Sequence, residues 1–256
     1  MAALVRCPGP RDKGGVEQVM QLARRGVAAA VDFALPPTCP GCSMLVETPH
    51  AFCPDCWAGA RFLHGGCEAC GIPLEATEAT HCAACLAKPP RIARTRAAIA
   101  YDGVARQLAL KLKYGRKVGL ARTMARSMAT HRGDWPADGA LLVPVPLHWT
   151  RLWGRGFNQA QLLAKELGRG WGLPVDPFVL RRSRRTRALK GMDPAARRAA
   201  VAGAFAVTDP ARIAERTVVL VDDVLTSGAT ADACARAVLK AGAARVELIC
   251  WARVIR

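Results

Sequence analysis

The chain has 256 residues and carries 37 Lys and Arg against 20 Asp and Glu, a net charge of +17. A hydrophobic fraction of 51% is enough for a buried core and excludes a wholly disordered protein, while an aromatic content of 5% argues against a protein that works mainly by stacking many bases on rings. No apolar run approaches the roughly 18 residues of a membrane span and no signal-peptide pattern is present, so we expect a cytoplasmic protein without membrane insertion.

Charge and cysteine are segregated along the chain. Residues 39–88 carry two bases and five acids, whereas the chain from Pro89 onward carries 30 bases and 12 acids, a net of +18. Pro89 and Pro90 form a natural joint, because paired prolines interrupt both helices and strand ladders. We therefore predict three units: an N-terminal tail and helix over 1–35, a Cys-rich unit over 36–88 and a larger domain over 91–256.

The first predicted element is a helix from Val16 to Leu35. Apolar residues recur there every three or four positions, and Arg24 and Arg25 fall on the opposite side. Gly26 in the middle weakens the pattern. We expect this helix to pack against the rest of the protein rather than to lie on a membrane surface.

The Cys-rich unit contains four CxxC pairs, separated by 10, 10 and 11 residues. Its eight cysteines are Cys39, Cys42, Cys53, Cys56, Cys67, Cys70, Cys82 and Cys85. Two CxxC turns supply the four thiolates of a closed tetrahedral zinc site, so these cysteines predict two structural Zn²⁺ ions. Disulfides would need an oxidising compartment, and buried free thiols would not share one spacing. We expect the first two pairs to share one ion and the last two the other, with interleaved pairing as the alternative.

Predicted strands alternate with helices after Pro90. Helices are predicted over Val104–Lys113, Val118–His131, Gln159–Gly168 and Ala229–Ala241, and Asn158 and Gln161 have the spacing of a capping box. Strands are predicted over Ala97–Tyr101, Leu141–Val143, Phe178–Leu180, Ala204–Val207, Thr217–Val221 and Val246–Cys250. The alternation predicts an α/β fold with a parallel sheet flanked by helices, whose ligands bind at the carboxyl ends of the strands.

One of these strands runs into polar residues. The apolar run Val218–Val221 is followed by Asp222 and Asp223, and then by the loop from Thr226 to Thr230. Hydroxyls, a glycine that permits close approach and the backbone N–H groups of a helix start form a phosphate cradle, and the carboxylates beside it predict a phosphorylated sugar. Adjacent strand side chains face opposite ways, so both carboxylates reach one sugar only if the strand has ended before them. A capped helix after a buried strand is the alternative.

These residues resemble the type I phosphoribosyltransferase fold, whose fingerprint is an apolar strand, two acids, two spacer residues and Thr-Thr/Ser-Gly. A second stretch, PVPLH from Pro144 to His148 followed by Arg151 and by RGFNQA from Arg155 to Ala160, is similar to the signature of the ComF family (competence protein F). That family also pairs an N-terminal CxxC-rich double zinc ribbon with a phosphoribosyltransferase domain. The resemblance spans about residues 35–256, including the YDG and KLKY motifs at 101–103 and 111–114.

The resemblance implies a site for phosphoribosyl pyrophosphate bound with Mg²⁺. It implies that Asp222 and Asp223 hold the ribose hydroxyls and act in catalysis. It places the pyrophosphate near Arg151 and Arg155, and the 5′-phosphate at Thr226, Ser227, Gly228, Ala229 and Thr230. The reaction implied is transfer of the phosphoribosyl group to a nitrogen nucleophile, with positive charge developing at C1′ as pyrophosphate leaves. Relatives that act on 6-oxopurines have an acid where Thr226 stands, which argues against hypoxanthine or guanine as acceptor.

Residues 181–198 carry eight bases and one acid and correspond to the family's variable hood region. The family usually has Gln at the position of Leu189 and Asn at that of Ala200, so this chain departs from it there. The resemblance links the protein to DNA uptake or nucleotide metabolism, and a rival function is a non-catalytic single-stranded DNA-binding module. Its phosphate contacts would be Arg181, Arg182, Arg184 and Arg185. In a third hypothesis, the ribbons dock a partner protein such as a DNA-uptake protein or a helicase.

Overall fold

A computed structural model describes residues 36–75, 79–115, 117–135, 139–184, 186 and 192–255. The helix predicted from Val16 to Leu35 lies outside the described residues, as do Arg185 and Leu189. Within the described ranges, no helix is long and apolar enough to cross a lipid bilayer.

The regular elements follow the predicted alternation. The helices are α1 (Pro54–Ala58), α2 (Ala83–Ala87), α3 (Gly103–Tyr114), α4 (Leu120–Ala129), α5 (Trp149–Arg155), α6 (Gln159–Trp171), α7 (Pro194–Val201) and α8 (Ala229–Lys240). The strands are β1 (Arg94–Ala100), β2 (Leu141–Pro144), β3 (Leu180–Arg182), β4 (Phe205–Val207), β5 (Thr217–Leu225) and β6 (Arg245–Arg253).

Four strands form one parallel sheet in the order β1-β6-β5-β2, and β3 and β4 form a separate antiparallel pair. The strand β5 lies inside the sheet, between β6 and β2. Its apolar run Val218–Val221 is fully buried, because helices cover both faces. The predicted α/β architecture is confirmed, and its central strand is the one that carries the two aspartates.

Each face of the sheet has its own apolar core. On one face, Leu108, Met124 and Leu163 of helices α3, α4 and α6 belong to the cluster that contains Val219 of β5. On the other face, Val238 of α8 belongs to the cluster that contains the neighbouring strand residues and the β3-β4 pair. Burial on two sides fixes the course of β5, and it therefore fixes where the residues at its carboxyl end project.

Most element boundaries differ from the prediction by only a few residues, but β3 is shifted from Phe178–Leu180 to Leu180–Arg182. The carboxylate of Asp176 accepts hydrogen bonds from the backbone N–H groups of Phe178 and Val179, both at 3.0 Å. These bonds hold the two residues in a turn, so the ladder with β4 begins later.

The Cys-rich unit is joined to the sheet and to α3 through hydrogen bonds to backbone carbonyls. The N–H of Leu63 donates to the carbonyl of Ala98 in β1 at 3.0 Å, and the Lys111 ammonium donates to the carbonyls of Pro40 and Gly41 at 3.0 and 2.5 Å. On the second ribbon, which contains Cys67, Cys70, Cys82 and Cys85, the carbonyl of Cys70 accepts a hydrogen bond from the guanidinium of Arg253 at the end of β6. The ribbons are therefore attached to three elements of the larger domain, namely β1, α3 and β6.

Candidate functional site

The eight CxxC cysteines are gathered into two clusters. The sulfurs within each cluster all lie within 4.8 Å of one another, and the clusters are Cys39, Cys42, Cys53, Cys56 and Cys67, Cys70, Cys82, Cys85. The Sγ atoms of Cys42 and Cys53 are 3.5 Å apart, and those of Cys70 and Cys82 are 3.8 Å apart. Four Zn–S bonds of about 2.3 Å in a tetrahedron place sulfurs about 3.8 Å apart. The geometry fits two four-thiolate zinc sites and confirms the sequential pairing.

Backbone N–H groups around these clusters favour thiolates. Burial alone would raise the pKa of Cys39, but N–H groups from Cys42, Cys53 and Gly41 outweigh it and lower this pKa to about 6. The pKa of Cys67 is also lowered to about 6, because N–H groups of its own cluster outweigh burial in the same way. The thiolate is the form that binds a metal, so Cys39 and Cys67 favour the metal-binding form, whereas burial raises the pKa values of Cys56 and Cys85.

The strand that carries the two acids does not end before them. It continues to Leu225, and Asp222 is still paired with Cys250 of β6. The predicted end at Val221 is therefore wrong, because the ladder with β6 outlasts the apolar run. Since adjacent strand side chains face opposite sides of a sheet, Asp222 and Asp223 project to different faces and have different neighbours.

Asp223 is held in an ion pair. Its Oδ2 lies 2.6 Å from Nζ of Lys113, and the two side chains are 5% and 22% exposed. The amide of Gln159 donates to Oδ1 of Asp223 at 3.4 Å. Burial would lower the pKa of Lys113, but the negative charge of Asp223 outweighs it and raises this pKa. Asp223 is thus occupied by a permanently charged partner from α3.

Arg155 extends this network toward the predicted pyrophosphate loop. Its guanidinium donates to Oε1 of Gln159 at 2.5 Å and lies 5.6 Å from the centre of the Tyr114 ring. Tyr114 follows Lys113 directly in α3. Helix α3 therefore contacts Asp223 through Lys113 and Arg155 through Tyr114. The network joins α3, α5, α6 and β5 at the carboxyl edge of the sheet.

Asp222 faces a different environment. It is half-buried, and burial together with the adjacent charge of Asp223 raises its pKa well above the ordinary range. Its charge also acts on Arg182, whose pKa is lowered first by burial and then by the positive charge of Arg151. Arg182 therefore lies within electrostatic reach of both Asp222 and Arg151, and a guanidinium group of this kind suits a phosphorylated ligand.

The loop after β5 presents backbone N–H groups at the start of α8. Thr226 and Ser227 are exposed, and Gly228 has a left-handed φ of +74°. Among the described residues, none accepts a hydrogen bond from the N–H groups of Thr226, Ser227 or Gly228. A Cβ at Gly228 would come no closer than 3.9 Å to Leu225 Cδ1, so glycine is needed there for its φ.

A cavity of about 230 Å³ lies between this loop and the second zinc ribbon. It is lined on the loop side by Thr226 and Ser227, and on the ribbon side by Cys70. Arg198 of α7 and Arg253 of β6 border the same space. The loop is therefore flanked by two further cations.

The segment from Pro144 to Asn158 runs beside β5. The N–H of Val145 donates to the carbonyl of Val221 at 2.9 Å, and the side-chain amide of Asn158 donates to the carbonyl of Val145 at 3.1 Å. Asn158 also accepts from the N–H of Ala160, which confirms it as the cap of α6, but among the described residues Gln161 returns no bond. Arg151 is exposed on α5, whereas Arg155 is engaged as described above.

The arginines predicted to contact nucleic acid differ in how exposed their side chains are. Arg181 is exposed, and Arg184 is exposed but donates to the carbonyl of Ala202 at 2.6 Å. Arg182 is half-buried, with its guanidinium 5.3 Å from the centre of the Phe205 ring, so it points toward the sheet rather than into solvent. Of the three arginines of this set that the structure describes, Arg181 is the most available to a phosphate.

Three members of the network were not predicted as site residues, namely Lys113, Tyr114 and Gln159. The signal for Lys113 was its position four residues after buried Ala109 and next to buried Leu112, at the edge of the apolar stripe of α3. Gln159 was assigned as the first residue of a helix and as part of the RGFNQA stretch, without a partner. A lysine bordering a buried stripe indicates a buried acid partner, but the sequence does not say which acid.

Known proteins share this architecture. The double zinc ribbon domain family matches residues 30–86, and the phosphoribosyl transferase domain family matches residues 154–255. The chain is 32% identical over 232 residues to the DNA utilization protein YhgH of Escherichia coli O157:H7, covering 85% of this chain and 99% of that protein. It is 29% identical over 191 residues to Competence protein F of Haemophilus influenzae, covering 71% and 82%. The crystal structure of TT1426 from Thermus thermophilus has a TM-score of 0.32 and 16% identity over 52% of this chain and 83% of that one, too remote to inform function.

Proposed function

Because this chain belongs to the ComF family (competence protein F), we propose that it binds phosphoribosyl pyrophosphate with Mg²⁺ and transfers the phosphoribosyl group. The observation that carries this proposal is the loop from Thr226 to Thr230, whose first N–H groups lack an acceptor among the described residues. The loop stands at the N-terminus of the 12-residue helix α8, where backbone N–H groups and the helix dipole favour an anion.

In this proposal the 5′-phosphate is bound by the loop. The N–H groups of Thr226, Ser227 and Gly228 point toward it, and the hydroxyls of Thr226, Ser227 and Thr230 donate the remaining hydrogen bonds. The buried Ala229 brings the first turn of α8 against the sheet and so fixes the position of the loop. This site binds any phosphate monoester, and Asp222 beside it selects the sugar.

The two acids have separate roles. Asp222, which pairs with no cation at short range among the described residues, accepts hydrogen bonds from the ribose hydroxyls and faces C1′. Asp223 acts through Lys113, since their ion pair holds α3 against β5. Arg151 binds the pyrophosphate, and Arg155 positions the same loop through Gln159.

The reaction breaks the bond between C1′ and the pyrophosphate oxygen and forms a bond between C1′ and a nitrogen. Pyrophosphate leaves with the bonding electron pair, and the nitrogen loses its proton after attack. The carboxylate of Asp222 stabilises the positive charge that develops at C1′. Mg²⁺, bound with the substrate, supplies positive charge at the departing pyrophosphate. Thr226 stands where relatives that use 6-oxopurines have an acid, so the proposed acceptor is a nitrogen compound of another class.

Calorimetric titration with phosphoribosyl pyrophosphate and Mg²⁺ tests the proposal. We expect one site per chain, and loss of binding in Asp222→Asn, which removes the charge while keeping the shape. Asp209→Asn is the matched control, because Asp209 is an exposed acid before the short helix Pro210–Arg212 and lies outside the proposed site. Unchanged binding in Asp222→Asn, or no binding by the wild-type protein, would contradict the proposal.

A role in handling DNA is the second proposed function, and the net charge of +18 from Pro89 onward favours it. The names of the relatives, which refer to DNA utilization and competence, point the same way. We expect the combined change Arg181→Gln and Arg184→Gln to flatten the salt dependence of single-stranded DNA binding. Arg182 is left intact because it packs on Phe205. An unaltered salt slope would show that Arg181 and Arg184 of the hood do not contact the DNA.

A further inference from the structure

Helix α5 is held in place by its ends rather than by a buried face. None of its residues is buried. The side chain of His148 caps its start by accepting a hydrogen bond from the N–H of Thr150, and Gly156 ends it in a left-handed conformation with φ of +83°. The caps explain why a seven-residue helix forms, but they leave its side chains without a role in the core.

The side chains that α5 exposes are large and apolar. Trp149 is 64% exposed and Trp153 is 84% exposed, and Leu152 is also exposed. Positions i, i+3 and i+4 lie on one side of a helix, so these three form a single surface. Isolated exposed apolar residues are ordinary, whereas three on two turns of one helix mark a binding surface.

The same helix also carries cations, and one of them contacts a further exposed ring. Tyr114 is 74% exposed, and the guanidinium of Arg155, at the end of α5, lies over its ring. Arg151 is exposed on the same helix. The segment from Pro144 to Asn158 contains no acid. An exposed indole face on a helix that also carries arginines on its other sides suits a ligand with flat bases and a phosphate backbone, since bases stack on indoles and arginines pair with phosphates.

We propose that Trp149, Leu152 and Trp153 form a base-stacking surface that binds single-stranded DNA. The inference rests on the second proposed function, and it places the bound DNA on α5 instead of on the hood. Duplex DNA is a poor ligand because its base faces are covered. The surface adjoins the carboxyl edge of the sheet through Arg155 and Gln159, so a bound strand lies next to the proposed phosphoribosyl site.

The test uses the full-length, zinc-loaded protein and the fluorescence anisotropy of a labelled oligodeoxythymidylate. Loss of one stacked base costs about 1–3 kcal/mol, so we expect Trp149→Ala and Trp153→Ala each to weaken binding about 5- to 150-fold. Trp153→Phe keeps a ring and should retain most of the affinity. Trp57→Ala is the matched control, because Trp57 is 58% exposed but lies on the first zinc ribbon. Trp153 has no core contacts, so its removal leaves the fold intact.

Three outcomes would overturn the inference. The first is wild-type affinity in both alanine variants, and the second is an equal loss in Trp57→Ala. The third is a change in oligomeric state or in binding to anionic lipid vesicles with DNA affinity unchanged, which would assign the surface to a second copy or a membrane. Titration of the same variants with phosphoribosyl pyrophosphate separates the proposals, because stacking variants should bind it normally. Failure of that titration in the wild-type protein would contradict the phosphoribosyl site alone.

Discussion

Lys113 Nζ lies 2.6 Å from Asp223 Oδ2, which makes a buried ion pair between the end of α3 and the central strand of the sheet. Removing one partner of such a pair leaves the other charge buried without compensation. We therefore expect Lys113→Met to lower the free energy of unfolding by about 3–5 kcal/mol, measured by urea denaturation at pH 7. Adding Asp223→Asn to this variant removes the stranded charge and should recover part of the loss.

Lys165→Met is the control for this prediction, because Lys165 is exposed on α6. Its effect should stay within about 0.5 kcal/mol, as for most surface substitutions. Equal stability of the Lys113→Met and Lys165→Met variants would show that the ion pair does not stabilise the contact between α3 and β5.

The raised pKa of Asp222 predicts a pH dependence of stability. Burial and the charge of Asp223 keep Asp222 protonated in the folded protein at pH values where the unfolded chain has lost this proton, above the ordinary pKa of 3.8. The folded state then binds more protons, so the free energy of unfolding falls as pH rises through that interval. Asp222→Asn removes this fall, so it should stabilise the ligand-free protein more at pH 8 than at pH 4, close to the ordinary pKa. A gain that is equal at both pH values, or absent, would contradict the raised pKa.

The two cysteine clusters predict zinc content. Wild-type protein should hold two zinc ions per chain, one for each cluster. Cys42→Ser and Cys82→Ser, measured by elemental mass spectrometry, should each retain about one, because each closed four-thiolate site loses a ligand independently of the other. Cys250→Ala, a change to a buried cysteine of β6, is the control and should retain two. Loss of both ions from either serine variant would show that the sites are not independent.

The left-handed conformation of Gly228 predicts that a larger residue at this position lowers the free energy of unfolding. Alanine at a φ of +74° is strained, so Gly228→Ala should destabilise the protein by about 1–2 kcal/mol and weaken binding of phosphoribosyl pyrophosphate. Gly170→Ala is the matched control, since its Cβ would meet open space within helix α6. There alanine should stabilise by about 0.5–1 kcal/mol. The same sign of effect at both glycines would contradict the role given to the left-handed conformation.

Much of the fold follows from the sequence because its signals are local. The four CxxC spacings define two metal sites, and the apolar run Val218–Val221 defines a strand buried on both faces. The end of that strand was misplaced because the ladder with β6 depends on residues such as Cys250, which are distant in sequence. Helix α5 was not predicted because caps rather than an apolar stripe stabilise it.

The candidate site was predicted less completely than the fold. The phosphate loop is one continuous segment, so its residue types and order indicate it directly. The contact of Asp223 with Lys113 joins positions 110 residues apart in sequence, and no spacing rule connects them. The packing of Arg182 on Phe205 likewise depends on the antiparallel pairing of β3 with β4. Side-chain partners across elements are set by tertiary structure, which the local sequence does not encode.

Hydrogen exchange of the loop after β5 tests the central claim most directly. On addition of phosphoribosyl pyrophosphate and Mg²⁺, backbone amides in residues 226–231 should exchange more slowly, because their N–H groups become bonded to the 5′-phosphate. Amides of the first zinc ribbon, residues 39–56, should be unchanged. Slower exchange confined to residues 226–231 and the adjoining segment 144–158 is the predicted result. Binding without any slowing in residues 226–231 would contradict the account.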